Sequence, residues 1–374
     1  MSKGKPNFVF NPLLPEDKLQ FMYRDVAITR ALIELKDIPL VDLRSPGEYS
    51  TATIPGACNI PLLDNIERAL VGTAHKEAGP DKARELAMEL IAPRLPDFVY
   101  SFKKIAPQKE VVIFCWRGGD RSHFTACILD AMGFKVHRIL GGFKAYRRYV
   151  IEYLERDTLP LRAVVIHGLT GVGKTDVLLA LRRRGFPVLD LEGLARHRGS
   201  VFGKIGHPPS PTQKMFEALI ERELRRAEDY GIFFVECESR RLGKLTVPAS
   251  VLNNMQRGYR ILLYAPVPTR ISRIIRDYAD GGTGNLAALQ DAVGRLTKYL
   301  GKNKVVELNH MLDMGDLSNV IEFLLLHYYD PLYNYPDGPS GAYDLSVNTG
   351  DMAAAVQVIE DFACNLPEYN IPGR

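Results

Sequence analysis

The sequence predicts an α/β protein built from two successive parts, each a parallel β-sheet flanked by helices. Two short β-branched runs, residues 111–114 and 163–166, are typical of buried parallel strands. Each run is followed by a glycine-containing loop and then by a helical pattern of apolar residues. Because the carboxyl ends of parallel strands meet at one edge of a sheet, we expect a binding site at each loop.

Residues 1–155 are predicted to form the first domain. Residues 38–44 have the pattern of a strand that ends in Asp42 and Arg44, and the segment 54–61 follows it. The strand at 111–114 is followed by a helix with apolar residues at three- and four-residue steps, and two glycines then precede a last helix. This alternation of strands and helices predicts a parallel sheet.

The loop after the strand at 111–114 has the sequence CWRGGDRS and places Cys115 in an anion-binding cup. Its two glycines let the backbone coil tightly, so that successive N–H groups point at the sulfur. Ser122 is predicted to cap the next helix, whose positive end faces the loop. Together with two arginines, this setting favours a nucleophilic thiolate. The predicted catalytic residues are Cys115, Arg117, Gly118, Gly119 and Arg121.

This order of motifs resembles the rhodanese domain, whose members carry sulfur or selenium on a loop cysteine. The resemblance implies a rhodanese-like parallel-sheet domain in which Cys115 is the carrier. A buried and inert Cys115 is the alternative, and the flanking arginines and glycines argue against it. The other four cysteines lie in apolar or helical contexts, where packing explains them.

The second loop, GLTGVGKT at residues 168–175, matches the phosphate-binding P-loop pattern G-x-x-x-x-G-K-[ST]. The backbone N–H groups of such a loop wrap a phosphate, and the lysine adds a positive charge. Thr175 is the candidate ligand for Mg²⁺. A glycine-rich turn without a ligand is the alternative, but the strand before the loop and the helix after it favour the P-loop. The predicted phosphate-binding residues are Gly168, Thr170, Gly171, Gly173, Lys174 and Thr175.

A P-loop needs a carboxylate on a neighbouring strand to position a metal ion or its water. Glu236, at the end of the apolar run 232–235, is the best candidate, with Glu238 close by. Asp190 ends another strand-like run and is followed by a segment rich in phosphate-binding residue types, among them Arg196 and Arg198. The alternative for these two arginines is an ordinary solvated loop.

Residues 163–374 are predicted to form a P-loop NTPase-like doubly wound α/β domain, joined to the first domain by a linker at 156–162. Its further strand lies at 260–264, and residues 288–325 are mostly helical. The aromatic run 327–335 either stacks on RNA bases or packs on the sheet. The strand at 343–348 and the helix at 351–364 are expected to complete the sheet, because a lone strand–helix pair is not stable.

Composition limits the classes of protein that remain. The chain has 374 residues, 46% hydrophobic and 25% charged, which is ordinary for a globular protein of two or three domains. We expect a cytoplasmic protein, since no apolar run approaches about 18 residues and the start lacks a signal-peptide core. No spacing points to zinc, and we expect no haem. The net charge is only +4, so nucleic-acid binding requires local patches, such as the helically spaced Arg270, Arg273 and Arg276.

Over nearly its whole length the chain resembles the tRNA 2-selenouridine synthase family. The resemblance rests on FCWRGGDRS, GLTGVGKT, DLEGLARHRGSVFG, VECESR and YYDPLYNY. It implies that wobble 2-thiouridine in tRNAs for Lys, Glu and Gln is S-alkylated from geranyl diphosphate and then receives selenium from selenophosphate. It also implies Mg²⁺ at the P-loop and a partner that supplies selenophosphate. We expect Cys115 to attack selenophosphate, displace phosphate and carry the selenium.

Two other classes stay open at this point. One is an ATP-dependent tRNA sulfurtransferase or kinase-like P-loop enzyme, with the first domain as a sulfur carrier. The other is a Cys-x5-Arg phosphatase, which accounts for the cup around Cys115 but leaves residues 163–374 without a role. A pure binding module needs neither a polarised thiol nor the P-loop lysine.

Overall fold

The structure is a computed structural model that describes residues 23–197, 209–279 and 285–370. The chain divides into two compact units, residues 1–146 and 147–374, and the helix Gly142–Leu154 crosses this division. Both units contain a parallel sheet with helices, which confirms the predicted α/β class. In the described part of the chain, no helix is both long and apolar enough to cross a membrane.

The first unit is built on a parallel sheet with the strand order β1-β5-β4-β2-β3. Its strands are β1 (Arg24–Val26), β2 (Leu40–Asp42), β3 (Cys58–Asn59), β4 (Glu110–Phe114) and β5 (Lys135–Ile139). Its helices are α1 (Ile28–Ile33), α2 (Pro46–Thr51), α3 (Asn65–Glu77), α4 (Gly79–Ile91), α5 (Leu95–Ile105), α6 (Asp120–Ala131) and α7 (Gly142–Leu154).

The middle strand β4 is the centre of this unit's core. Val111, Ile113 and Phe114 are fully buried, because both faces of a parallel sheet are covered by helices. Phe102 of α5 and Leu129 of α6 pack in the core as well, and both are completely shielded from solvent. The carboxyl end of β4 therefore delivers Cys115 to the edge of the sheet from a rigid position.

The second unit has a parallel sheet with the strand order β12-β11-β6-β8-β7. These strands are β6 (Arg162–His167), β7 (Val188–Leu189), β8 (Ile232–Glu236), β11 (Tyr259–Tyr264) and β12 (Leu345–Asn348); β9 (Arg241–Leu242) and β10 (Leu245–Thr246) form a separate small hairpin. Strands β7 and β8, which follow β6 in the chain, lie on one side of it in the sheet, whereas the later strands β11 and β12 lie on the other side. The strand order therefore reverses at β6, and the crevice at its carboxyl end is the expected ligand position. The predicted closing strand is confirmed, since β12 pairs with β11.

Helices cover both faces of this sheet and also form a separate bundle. They are α8 (Lys174–Arg183), α9 (Leu191–Ala195), α10 (Gln213–Ala227), α11 (Ala249–Gln256), α12 (Val267–Ala279), α13 (Asn285–Arg295), α14 (Thr297–Leu300), α15 (Lys302–Asp313), α16 (Leu317–Leu324), α17 (Asp330–Tyr333) and α18 (Met352–Cys364), with a π-helical turn at Leu325–Tyr329. The bundle α13–α16 has its own apolar core, in which Val293, Leu308 and Val320 are buried. The predicted helical region 288–325 is thus confirmed.

Candidate active sites

Cys115 lies at the carboxyl end of β4, with only 3% of its surface exposed. Its Sγ is 3.3 Å from the hydroxyl oxygen of Ser122. The prediction that Ser122 caps the following helix is wrong, because α6 already begins at Asp120 after Gly119. Ser122 instead lies in the first turn, where its hydroxyl donates to the Gly119 carbonyl at 3.1 Å. The sulfur therefore has a hydroxyl partner at the positive end of a helix.

A second glycine turn, at Gly141 and Gly142, stabilises the Cys115 loop through backbone hydrogen bonds. The backbone N–H of Phe143 donates to the Cys115 carbonyl at 2.8 Å, and that of Lys144 donates to the Trp116 carbonyl at 2.9 Å. Gly142 has φ +56°, and a Cβ there would come within 2.3 Å of the Cys115 carbonyl oxygen. Only glycine permits this approach. The start of α7 thus fixes the shape of the Cys115 loop.

The two predicted arginines of this loop have different surroundings. Arg117 is exposed, whereas Arg121 donates to a carboxylate oxygen of Glu48 at 2.9 Å. Burial alone would raise the pKa of Glu48, but the hydrogen bond and charge of Arg121 lower it below its usual value, so this acid is ionised. Within the described residues, the backbone N–H groups of Gly118 and Gly119 have no protein acceptor. The groups of this loop that are available to an anion are therefore these N–H groups and the exposed guanidinium of Arg117.

The P-loop joins β6 to α8, which confirms the predicted strand–loop–helix order. Gly168 has φ +143°, and a Cβ on it would lie 2.3 Å from the Leu263 carbonyl oxygen of the adjacent strand. Gly173 has φ +90° and precedes α8, so that the helix starts at Lys174. The Lys174 ammonium folds over the loop and donates to the Gly168 carbonyl at 2.8 Å. Its charge is therefore held at the loop where a phosphate would bind.

Two arginines of α12 support the P-loop backbone, and the prediction that they neutralise nucleic-acid phosphates is wrong. Arg270 and Arg273 are only 2% and 9% exposed. Arg270 donates to the Thr170 carbonyl at 2.8 Å, and Arg273 donates to the Val172 carbonyl at 2.9 Å. Arg276, the third member of the series, is on the surface and pairs with Asp176 at 2.9 Å.

Three carboxylates converge beside the P-loop strand. Glu192, Glu236 and Glu238 each place an oxygen within 4.8 Å of the others. Burial, followed by the charges of Glu192 and Glu238, raises the pKa of Glu236 well above its usual value, while Lys174 opposes this rise. Burial and the charge of Glu192 raise the pKa of Glu238 to about 7. Such crowded acids retain protons unless a cation joins them.

The remaining predicted cofactor-binding residues have other partners. Asp190 caps α9, since its carboxylate accepts from the Gly193 N–H at 2.8 Å. Arg196 ends this helix in the left-handed conformation, and its exposed guanidinium donates to the Pro209 carbonyl at 3.4 Å. Arg198 lies outside the described residues. Among the described residues, no contact joins Arg196 to the P-loop.

Aromatic side chains gather at the carboxyl end of β6. The rings of Tyr329, Tyr333 and Tyr335 stack in succession, with centroids 6.4 Å apart in each step. The ring of His167 meets Tyr335 and Tyr343 edge-on. Packing on the sheet, one of the two predicted alternatives, thus accounts for most of this segment, although Tyr333 remains 41% exposed.

Three residues of these sites are absent from the residues predicted from the sequence. Glu192 lies in a segment that is otherwise rich in basic residues, although it follows a strand neighbouring that of Glu236. Glu48 carries no local signal, because its pairing with Arg121 spans 73 positions. His167 ends the strand before the P-loop, and this position alone indicates that its side chain lies near the site. Burial, with the charges of Arg260 and Lys174, lowers the pKa of His167 to about 4.

Comparison with known proteins gives both units a family. Residues 25–149 match the model of the rhodanese-like domain, and residues 161–363 match that of the tRNA 2-selenouridine synthase AAA domain. A solved structure, the N-terminal domain of a protein described as ATP/GTP-binding from Clostridium difficile 630, is 34% identical and covers 34% of this chain and 99% of its own. Its TM-score is 0.33, which is too low for any conclusion.

Relatives named tRNA 2-selenouridine synthase cover most of the chain. That of Bdellovibrio bacteriovorus is 34% identical over 80% of this chain and 88% of its own length. That of Hydrogenovibrio crunogenus is 34% identical over 81% and 90%, and that of Bordetella bronchiseptica is 35% identical over 84% and 92%. Both units and their order are thus shared with these proteins, and the chain belongs to the tRNA 2-selenouridine synthase family.

Proposed function

We propose that this chain converts wobble 2-thiouridine of tRNA to 2-selenouridine in two steps, one in each unit. In the first step the base is S-geranylated from geranyl diphosphate at the P-loop. In the second step selenium from selenophosphate replaces the geranylthio group near Cys115. The observation that carries this proposal is the presence, in one chain of this family, of a cysteine loop with unpaired N–H donors and a P-loop braced by buried arginines.

The P-loop suits a step in which pyrophosphate leaves. The sulfur of 2-thiouridine attacks C1 of geranyl diphosphate, a C–S bond forms, the C–O bond breaks, and the N3 proton of the base passes to solvent. Negative charge grows on the departing pyrophosphate, where loop N–H groups and Lys174 stabilise it. This step needs no carboxylate nucleophile, in agreement with the buried position of Glu236.

The three carboxylates fit a divalent cation of the Mg²⁺ type, which prefers hard oxygen ligands. Glu192, Glu236 and Glu238 would hold this ion, and the hydroxyl of Thr175, in the first turn of α8, is the further ligand that we propose. The ion would supply positive charge beside the diphosphate.

The oxidation states of selenium and phosphorus limit how the selenium step can proceed. Transfer of selenium from selenophosphate to the Cys115 sulfur would oxidise selenium and reduce phosphorus, so phosphite and not phosphate would leave. We therefore replace the expected selenium-loaded cysteine by attack of the Cys115 thiolate on phosphorus. An S–P bond forms, the P–Se bond breaks, and hydrogenselenide leaves; water then cleaves the phosphocysteine to phosphate. Hydrogenselenide attacks C2 of the base, and geranylthiolate departs.

The RNA substrates that we propose are tRNAs for Lys, Glu and Gln. The proposed partner is an enzyme that produces selenophosphate. Of the aromatic run at 327–335, Tyr333 is the residue that we assign to base stacking, because it is 41% exposed and its ring is already held parallel to two neighbours. The cytoplasmic location is part of the same proposal.

Mass spectrometry of nucleosides tests the proposed function directly. We incubate 2-thiouridine tRNA with the protein, Mg²⁺ and geranyl diphosphate, with and without selenophosphate. We expect geranylthiouridine without selenophosphate and selenouridine with it, and ³¹P spectra should show phosphate and no phosphite. If both nucleosides are absent while ATP is consumed in a parallel sample, the nucleotide-driven sulfurtransferase is the better assignment.

Two variants separate the steps. Cys115→Ala should abolish selenium incorporation and leave geranylation intact, because the sulfur acts only on selenophosphate. Lys174→Ala should lower geranylation by at least about a hundredfold, since one preorganised charge opposite the leaving pyrophosphate is lost. It should still convert S-geranyl-2-thiouridine tRNA to selenouridine. Loss of both activities in Cys115→Ala would contradict this division, as would normal geranylation by Lys174→Ala.

A further inference from the structure

The first unit contains a large groove beside the helix that follows the Cys115 loop. It has a volume of about 1000 Å³ and lies between α3, α4 and the start of α6. Half of its lining residues are aliphatic or aromatic, among them Leu62, Val71, Ala87, Met88, Ile91 and Phe124. A groove of this size matches the range of about 300–1,000 Å³ that is typical of small-molecule sites.

The helices of this groove leave apolar surface uncovered. In α3, which the structure describes completely, no side chain is buried, and α4 buries only Ala83 and Ile91. Met88, on the groove side, is 49% exposed. An amphipathic helix pair normally places its apolar stripe against a core. Here Met88 is exposed beside apolar neighbours such as Val71 and Ala87, which are only partly buried, so the groove leaves an apolar surface that a ligand or partner can cover.

One wall of the groove is formed by α6, the helix that follows the Cys115 loop. Asp120, Arg121 and Phe124 of α6 line it. The same helix contains Ser122, whose hydroxyl oxygen is 3.3 Å from Cys115 Sγ. A molecule in the groove is thus held by the helix whose first turn contacts the reacting sulfur.

The rim of the groove is cationic above its apolar floor. Basic side chains along it are Arg68, His75, Lys76, Arg84 and Arg121. Carboxylates compensate the charge of three of these side chains. Arg84 pairs with Asp120 at 3.1 Å. Arg121 pairs with Glu48, and Arg68 lies 3.9 Å from the same carboxylate. For Lys76 the structure gives no acidic partner among the described residues. This combination suits an apolar chain that is attached to a polyanion.

We propose that this groove binds the geranyl chain of S-geranyl-2-thiouridine tRNA and so holds C2 of the base near Cys115. The inference rests on the proposed function and adds a substrate-binding subsite to its second step. A ten-carbon chain is the apolar part of that substrate, and RNA supplies the anion for the rim. Recognition of the chain also explains how the selenium step selects geranylated over unmodified 2-thiouridine.

Binding measurements test the subsite apart from catalysis. Anticodon stem–loop RNAs with S-geranyl- or S-methyl-2-thiouridine are titrated with the full chain in the absence of selenophosphate. We expect the geranyl RNA to bind about a hundredfold more tightly, because burial of the longer chain adds apolar contact. Cys115→Ala should keep this preference while making no selenouridine.

Met88→Asp is the groove variant, and Leu70→Asp is its matched control. Both residues lie half-exposed on this helix pair, at 49% and 51%, but only Met88 lines the groove. We expect Met88→Asp to reduce the preference for geranyl RNA by at least about tenfold, and Leu70→Asp to keep it. Gly72→Trp is a second groove variant, since nothing lies within 4 Å of a Cβ at Gly72. Melting curves verify that each variant is folded.

Three results would overturn the inference. They are equal binding of the two RNAs by the wild-type chain, an undiminished preference in both groove variants, and a self-associated wild-type protein that Met88→Asp converts to monomer. The last result would assign the groove to a second copy of the chain. Selenouridine formation in the same preparation is read separately. Its absence would reject the proposed function, whatever the RNA binding shows.

Discussion

Cys115 and Lys174, the two residues that we propose to act on phosphate-containing substrates, differ in what surrounds them. Cys115 is nearly enclosed, and its loop is fixed by the glycine turn at the start of α7. Lys174 is fixed by carbonyl groups of its own loop, with Gly168 at 2.8 Å and Leu169 at 3.3 Å. A phosphate that enters the P-loop must draw the ammonium away from these carbonyls. The lysine must therefore move a short distance to bind a phosphate, whereas the Cys115 loop is already fixed by its backbone hydrogen bonds.

His167 allows a prediction about pH and stability, because it is held neutral directly before the P-loop. Its pKa is about 4 in the folded chain and about 6.5 in the unfolded chain. Between these values only the unfolded chain gains the proton, so the free energy of unfolding falls as pH drops from about 6.5 to 4. Above pH 6.5 this loss is absent.

We expect His167→Gln to remove this part of the pH dependence, which amounts to at most about 3 kcal/mol at pH 4. Urea unfolding of the P-loop unit at several pH values, without ligands, measures it. His310→Gln is the control, since His310 is an exposed histidine of the same unit. An equal change of slope in both variants would show that burial of His167 is not the cause.

At the level of elements, α12 acts as a brace for the P-loop. Arg273 donates to the Val172 carbonyl at 2.9 Å and to the Thr349 hydroxyl oxygen at 3.0 Å, so it joins the loop to the end of β12. Arg270 joins the loop to the aromatic segment, because it also pairs with Asp330 at 2.8 Å. These buried charged donors satisfy carbonyl groups that the tight loop leaves without helical or strand partners.

Arg273→Lys should therefore weaken the binding of geranyl diphosphate more than it slows the chemical step. A lysine ammonium lacks the fork that reaches two acceptors at once. We expect the KM for geranyl diphosphate to rise about tenfold, and the P-loop unit to lose about 1–3 kcal/mol of unfolding free energy. Arg276→Lys, on the same helix but 53% exposed, should change neither value appreciably. Equal effects of the two variants would refute the brace.

The sequence allowed prediction of the elements better than of the contacts between them. The strands before Cys115, Gly168 and Cys237 were predictable, because short apolar runs rich in β-branched or aromatic residues are typical of buried parallel strands. The sequence predicts Arg270 and Arg273 on an exposed helix face, although they are buried, because helical spacing is the same for a solvated and a buried face. Glu192 lies close to Glu236 because β7 pairs with β8, and no local sequence pattern predicts this pairing.

At the scale of the whole molecule, the proposed reaction links two units through a stable covalent intermediate. S-geranyl-2-thiouridine tRNA is a finished molecule that does not need to stay bound between the steps. Each unit has its own core and its own sheet, and the described residues assigned to each site belong to one unit. This arrangement permits the intermediate to leave one chain and to be completed by another.

An equimolar mixture of the Cys115→Ala and Lys174→Ala proteins should therefore make selenouridine from 2-thiouridine tRNA, although neither protein alone does so at a comparable rate. The Cys115→Ala chain supplies geranylated tRNA, and the Lys174→Ala chain captures it and adds selenium. Because capture is bimolecular, the rate should rise with the concentration of the Lys174→Ala protein while that of the other is fixed. Nucleoside mass spectrometry over time measures both species, and synthetic S-geranyl tRNA given to the Lys174→Ala protein is the positive control. Accumulation of geranylthiouridine without selenouridine in the mixture, with that control active, would mean that the intermediate must pass between the two sites of a single chain.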